Sequence, residues 1–151
     1  MSRNCYRCRR VIAMDDCIFC KIIKGEIPSY KVYEDEKVFA FLDIHPLSKG
    51  HTLVLPKEHY RDILDIPDEL LCAVNKVSKH LVSKIQKKYS PLGFIINQNN
   101  GESAGQTIHH YHLHIKPVYE DTVIPDEADR RKELSKEEMD SIVRDLIEEE
   151  I

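Results

Sequence analysis

Between residues 108 and 115 the chain reads Ile-His-His-Tyr-His-Leu-His-Ile. His110, His112 and His114 stand at every second position, and Tyr111, Leu113 and Ile115 alternate with them. Successive side chains of a strand point to opposite faces, so this spacing sets three imidazoles in one row and turns three apolar side chains toward a core. A helix would scatter them, because only residues three or four apart share a helical face. The segment is therefore predicted to be a strand. Of the 8 histidines in the chain, four fall between 109 and 114, so the fold has to give that row a purpose.

Other strands can be read around it. Residues 30–34 (Tyr-Lys-Val-Tyr-Glu) and 37–42 (Lys-Val-Phe-Ala-Phe-Leu) flank an Asp35-Glu36 turn, which predicts a hairpin. Residues 51–56 make a third strand, stopped by Pro56. Residues 93–98 make a fourth, and the histidine row is the fifth. The connector 57–64 carries His59.

Residues 65–89 are the one long helix. Pro67, Asp68 and Glu69 suit its first turn. Leu70, Val74, Val77, Leu81 and Ile85 recur at spacings of three and four and draw one apolar stripe. Lys76, Lys79, Lys84, Lys87 and Lys88 take the other faces, in solvent. Cys72 lies among the apolar residues and is expected to be buried and inert. Cys17 to Gly25 reads as a short helical turn closed by glycine. Ser135 and Glu138 have capping-box spacing. Met139, Ile142, Val143, Leu146 and Ile147 then suit a C-terminal amphipathic helix over about 135–150. Short hairpin links favour an α+β domain with an antiparallel sheet over βαβ units.

The 151 residues suit one domain with one core. A net charge of -4 leaves no basic footprint for nucleic acid. No apolar run approaches the roughly 18 residues of a membrane span, and no secretory signal follows Arg3, Arg7, Arg9 and Arg10. A cytosolic (cytoplasmic) protein is expected, whose 5 cysteines are thiols or metal ligands. Residues 1–13 are basic, hold Cys5 and Cys8, and show no periodicity. They are read as an appendage, disordered or the result of a start upstream of Met14, and 14–151 as the domain.

Three uses of the histidine row compete: zinc chelation by alternate histidines, nucleophilic attack on phosphorus by a neutral imidazole whose other nitrogen is fixed, and a histidine-rich surface strand. The segment leading into the row discriminates. Asn99-Asn100-Gly101-Glu102-Ser103-Ala104-Gly105-Gln106-Thr107 is a polar loop with two glycines. Amides near Gly105 and the Thr107 hydroxyl suit a phosphate cradle. Anion donors beside imidazoles suit phosphoryl or nucleotidyl transfer. No Walker A motif or aspartate cluster for magnesium is present, so metal-free chemistry at phosphorus is expected.

His-Tyr-His-Leu-His-Ile at 110–115 resembles the signature of the histidine triad (HIT) family. The resemblance spans about residues 16–119. It includes Cys-Ile-Phe-Cys-Lys-Ile-Ile-Lys-Gly-Glu-Ile-Pro from 17, Ala-Phe-Leu-Asp-Ile from 40, Gly-His-Thr-Leu-Val-Leu-Pro from 50, and the loop from 99. It is nearest the histidine triad nucleotide-binding branch in its zinc-containing, prokaryote-like form. The resemblance implies a HIT-like fold: a five-stranded antiparallel sheet, one long helix and a C-terminal helix, assembled as a homodimer.

It also implies roles. His112 attacks the α-phosphorus of a purine nucleotide (AMP, GMP and their phosphoramidates or polyphosphates) and forms a nucleotidyl-histidine that water hydrolyses. His114 hydrogen-bonds the phosphate, and Thr107 stands near the leaving group. Asn99 and the amides of Gly105 and Gln106 hold phosphate oxygens. Asp43 takes the ribose hydroxyls, Phe19, Ile22, Phe41 and Ile44 wall the purine, and His51 sits behind the imidazoles. Cys17, Cys20, His59 and His110 form a structural zinc site, with an all-thiolate set of Cys5, Cys8, Cys17 and Cys20 as the alternative. Lys116 departs from the motif, which has an apolar residue there. By strand parity it shares the histidine face, where it reaches solvent or adds a cation near the phosphates. The expected activity is that of a purine nucleoside phosphoramidase. Dinucleoside polyphosphate hydrolysis is the enzymatic alternative, a nucleotide-binding regulatory protein with little turnover a second, and a zinc-only structural module a third.

Overall fold

The computed structural model describes residues 16–124 and 132–148; the appendage with Cys5 and Cys8 lies outside them. Five strands form one antiparallel sheet: β1 (Lys31–Glu34), β2 (Val38–Leu42), β3 (Thr52–Pro56), β4 (Gly93–Asn97) and β5 (Leu113–Val118). Their order across the sheet is β1-β2-β3-β5-β4. Helix α1 (Ile18–Ile23) covers one face, α2 (Asp68–Tyr89) packs on the other, and α3 (Lys136–Glu148) follows at the C-terminal end. The expected α+β architecture is present. The β1–β2 hairpin is closed by the Asp35 carboxylate, which accepts the amides of Lys37 (2.8 Å) and Val38 (2.7 Å).

Both sheet faces are covered, which explains the unbroken apolar runs of β2 and β3. Val38, Ala40, Val54, Leu113 and Ile115 face α2, meeting Val74, Val77, Leu81 and Ile85 of the expected stripe. Phe39, Phe41, Leu53 and Leu55 face the other way, against Phe19, Cys17 and Cys20 of α1. At the C-terminus the capping box forms: Glu138 N donates to Ser135 Oγ (3.2 Å) and Ser135 N to Glu138 Oε2 (2.8 Å).

The sequence reading needs three corrections. Cys72 is exposed, not buried. It stands two residues beyond Leu70, about 200° round the helix, and so off the stripe. The long helix starts at Asp68, with extended Pro67 as its N-cap rather than inside its first turn. Regular strand begins only at Leu113, so of the row His114 alone lies in β5.

The third difference has a local cause. The ladder pairs Thr52 with Ile115, Leu53 with His114 and Val54 with Leu113. Two further steps would bring Pro56 opposite Tyr111, and proline has no N–H to give. The Pro56 carbonyl meets His110 Nε2 instead (2.8 Å), and Tyr111 N donates to the Tyr60 carbonyl (2.6 Å). The alternation survives the loss of ladder: Tyr111, Leu113 and Ile115 are buried in the α2 core. Ile115 has no exposed surface. Ile115→Ala is expected to cost about 2–5 kcal/mol in urea unfolding; a change below about 1 kcal/mol would contradict this placement of the core.

Candidate functional site

The face opposite α2 gathers two groups of metal-ligating and titratable side chains. Helix α1 is short, and its N-cap is Cys17, whose Sγ accepts from Cys20 N at 3.4 Å. Residues three apart share a helical side, so both thiols point at the chain's other histidine-bearing segments. His59 follows Pro56 in the connector, and the Tyr60 carbonyl stitches that connector to Tyr111. All four residues, Cys17, Cys20, His59 and His110, are buried.

His110 Nδ1 lies 3.5 Å from Cys17 Sγ, 3.5 Å from Cys20 Sγ and 3.2 Å from His59 Nδ1, and Cys20 Sγ is 3.4 Å from His59 Nδ1. Tetrahedral zinc with ordinary bond lengths sets sulfur and nitrogen ligands about 3.6 Å apart and two nitrogens about 3.3 Å apart. The donor set therefore fits zinc in both chemistry and spacing. His110 is also in the right tautomer. The carbonyl of Pro56 can only accept, so Nε2 carries the proton and Nδ1 presents its lone pair to the cluster. In the polypeptide alone, burial and then the Cys17 thiol push the Cys20 thiol up to about 12. Burial likewise drives His110 down to about 4. A bound dication reverses that penalty by favouring thiolate.

Two further tautomers follow from backbone partners. His112 Nδ1 is 2.6 Å from the His110 carbonyl, so it donates, and Nε2 holds the lone pair. His112 is buried, packed edge-on to Phe19 with ring centroids 5.0 Å apart, and burial lowers its pKa. A neutral imidazole with a free Nε2 is a competent nucleophile. For His51, the Leu47 amide donates to Nδ1 at 2.9 Å. Nε2 must then be the protonated nitrogen; it lies 2.9 Å from His114 Nδ1 and 3.5 Å from the Asp43 carboxylate. His114 therefore accepts at Nδ1 and carries its proton on Nε2. Burial, with His112 next, holds it down at about 4, so it stays a neutral donor. The row thus holds three different imidazoles: a lone pair turned to the Cys/His cluster, a lone pair free on Nε2, and an Nε2–H.

The loop before the row is internally braced. Gly105 has φ 86°, and a Cβ there would come 3.3 Å from Asn99 Nδ2, so glycine is needed for both conformation and space. Asn99 Nδ2 donates to the Ala104 carbonyl (2.5 Å), and its Oδ1 accepts from Asn97 Nδ2 (2.8 Å). The amides of Gly105 and Gln106 donate to the carbonyls of Glu102 (2.9 Å) and Gly101 (3.0 Å), so a phosphate there would have to share them. Gln106 is buried, its side chain bridging Gly101 N and the Arg61 carbonyl. Thr107 is exposed where the loop meets the row.

Of the expected purine wall, Phe19 and Phe41 are buried and touch edge-on at 5.4 Å. Ile22 is half-buried and Ile44 is 70 % exposed, free to meet a ligand. Asp43 stands beside His51, and its carboxylate also accepts the His45 amide at 2.8 Å. Sequence reasoning missed Asn97, which fixes Asn99, and the backbone groups of Pro56, His110 and Leu47, which set the tautomers. Strand parity signals the first; no side-chain pattern signals the others.

If the four-residue cluster is a metal site, metal analysis should find about one zinc per chain. Cys20→Ser should fall far below that. The double variant Cys5→Ser/Cys8→Ser should keep its zinc, and losing it would move the site to the four-thiolate set.

Known proteins share the sequence and fold of this chain. Residues 24–121 match the HIT domain. The protein named hit of Bacillus subtilis is 50% identical over 105 residues, 70% of this chain and 72% of that protein. An adenosine 5′-monophosphoramidase of Candida albicans is 45% identical over 105 residues (67% and 69%), and an adenylylsulfatase of Arabidopsis thaliana is 40% identical over 121 (80% and 61%). The crystal structure of a HIT family protein from Bacillus anthracis superposes with TM-score 0.79 at 41% identity, covering 88% of this chain and 96% of that one. A zinc-bound histidine triad family protein from Mycobacterium smegmatis gives 0.68 at 33% identity, over 87% and 93%. The chain belongs to the HIT domain family.

Proposed function

We propose that the protein is a HIT-type hydrolase that cleaves purine nucleoside 5′-phosphoramidates at the α-phosphorus through a nucleotidyl-His112 intermediate. The observation that carries this is the opposed tautomers of His112 and His114 on one face, a free Nε2 lone pair beside an Nε2–H. Candidate relatives named for phosphoramidase and adenylylsulfatase activity support the same chemistry.

With the purine against Phe19, Phe41, Ile22 and Ile44 and the ribose hydroxyls on the Asp43 carboxylate, the α-phosphorus comes to His112 Nε2. The lone pair attacks in line, a P–Nε2 bond forms, the bond to the amine breaks, and the amine departs with a proton taken from solvent. His112 Nδ1–H keeps its bond to the His110 carbonyl, which stabilises the positive charge that the ring acquires. His114 Nε2–H, with Asn99 and the 105–107 turn, receives the charge on the phosphate oxygens. Water then attacks the same phosphorus and gives a proton to solvent, the P–Nε2 bond breaks with its electron pair returning to Nε2, and the nucleoside monophosphate leaves.

Zinc, held by Cys17, Cys20, His59 and His110, has a structural part in this reading. It would tie α1 to the segment that carries His112, and the chemistry itself needs no metal. Two buried thiols kept for a metal suit a reducing compartment, which supports the cytosol. No helix of the described residues is long and apolar enough to cross a membrane. Strand β4 ends the sheet with Ile96 half exposed, an open edge that supports the homodimer implied by the family resemblance.

With adenosine 5′-phosphoramidate as substrate, His112→Ala is expected to lose at least about a thousandfold in kcat. His114→Ala should lose about a hundredfold. AMP release by His112→Ala at the wild-type rate would refute the nucleophile assignment. Light scattering should give twice the 17.6 kDa chain mass; a monomer at micromolar concentration would remove the dimer from this reading.

A further inference from the structure

Lys116 has no part in the chemistry above, yet it sits among the residues that perform it. In β5 it pairs with Ile95 of β4 and follows His114 on the same sheet face by parity. The β3–β5 ladder ends with Thr52 opposite Ile115, so the next step sets His51 opposite Lys116. His51 is joined in turn to the end of β2 by the bond from Asp43 N to its carbonyl, 3.0 Å. Asp43, His51 and Lys116 therefore lie abreast across three strands, with the His51 ring meeting that of His114 at 5.2 Å.

The ammonium group is close enough to act on both rings. Its charge contributes to the lowered pKa of His51 and of His114, after burial in each case, while Asp43 acts in the opposite sense. Among the described residues no carboxylate forms an ion pair with Lys116. The residue is half-buried, so its charge lies on the imidazole face and is only partly screened. A partly buried cation with no ion-pair partner among the described residues attracts anions.

Its reach decides which anion. Lys116 stands two residues beyond His114 and four beyond His112, roughly 7 Å and 14 Å along a strand. The flexible four-carbon stem can bring the ammonium to the outer edge of the His114 ring. The nucleophilic Nε2 of His112 lies a further turn of the pleat away. Lys116 therefore meets a charge next to the α-phosphate rather than the phosphorus under attack.

Resting on the nucleotide chemistry proposed above, we propose that Lys116 forms a second anion subsite beside His114, selecting nucleotides that carry another phosphate or sulfate beyond the α-phosphate. Such a subsite favours leaving groups that are themselves anionic over a simple amine.

The test is binding of AMP and of α,β-methylene-ADP, whose P–C–P bridge resists cleavage, measured by calorimetry at low salt. Wild-type protein should bind the diphosphate analogue more tightly than AMP. Lys116→Met should reduce that preference by about fivefold to tenfold, the scale of one partly screened charge pair. Lys116→Arg should restore most of it, and added salt should erode it in the wild type and in Lys116→Arg but not in Lys116→Met. A ratio of the two affinities that is the same within twofold in wild type and Lys116→Met, while both ligands still bind, overturns the subsite and leaves the hydrolase reading standing. Failure of the wild type to bind either nucleotide overturns both.

Discussion

The site depends on one hydrogen bond, from His112 Nδ1 to the carbonyl of His110 at 2.6 Å. A carbonyl can only accept, so this contact fixes the proton on Nδ1 and frees Nε2. The carbonyl lies ahead of Leu113, the first laddered residue of β5, so it meets a side chain instead of a neighbouring strand. Ladder pairing carried back to residue 110 would have set that carbonyl against a neighbouring strand. The end of the ladder is thus what lets a backbone group orient a side chain two residues on.

The same device recurs in opposite senses. At His110 a carbonyl takes the Nε2 proton and turns Nδ1 to the cysteines. At His51 an amide donates to Nδ1, and the proton on Nε2 passes the orientation to His114. The loop that offers the Leu47 amide is itself anchored, since the Ser48 hydroxyl donates to the Pro117 carbonyl of β5. Burial supports all of this by holding the imidazoles neutral, because a charged ring is costly in these surroundings.

Much of the fold could be read from side-chain pattern alone. The 3.6-residue stripe from Leu70 to Ile85 and the alternation around His112 report burial directly, and burial is a property of side chains. Cys72 misled because its neighbours in sequence are apolar while its angular position on α2 faces solvent. The start of β5 misled because alternation persists where ladder pairing has stopped. The donor set Cys17, Cys20, His59 and His110 came from resemblance, as did the roles of His112 and His114. Which nitrogen of each ring carries the proton was not legible, because the deciding partners are main-chain atoms that every sequence possesses. Asn97 escaped notice for a related reason: its function is to hold Asn99 across the loop.

As the proposed nucleophile, His112 Nε2 must become bonded to phosphorus. The direct measurement is rapid quenching of the protein with adenosine 5′-phosphoramidate under conditions that preserve P–N bonds, followed by mass mapping of the modified peptide. The expected result is one acid-labile adenylyl group per modified chain, located on His112 and absent from His112→Ala. Substrate turnover with no adduct at any quench time, or an adduct on His114 or Thr107 in place of His112, would contradict the assignment.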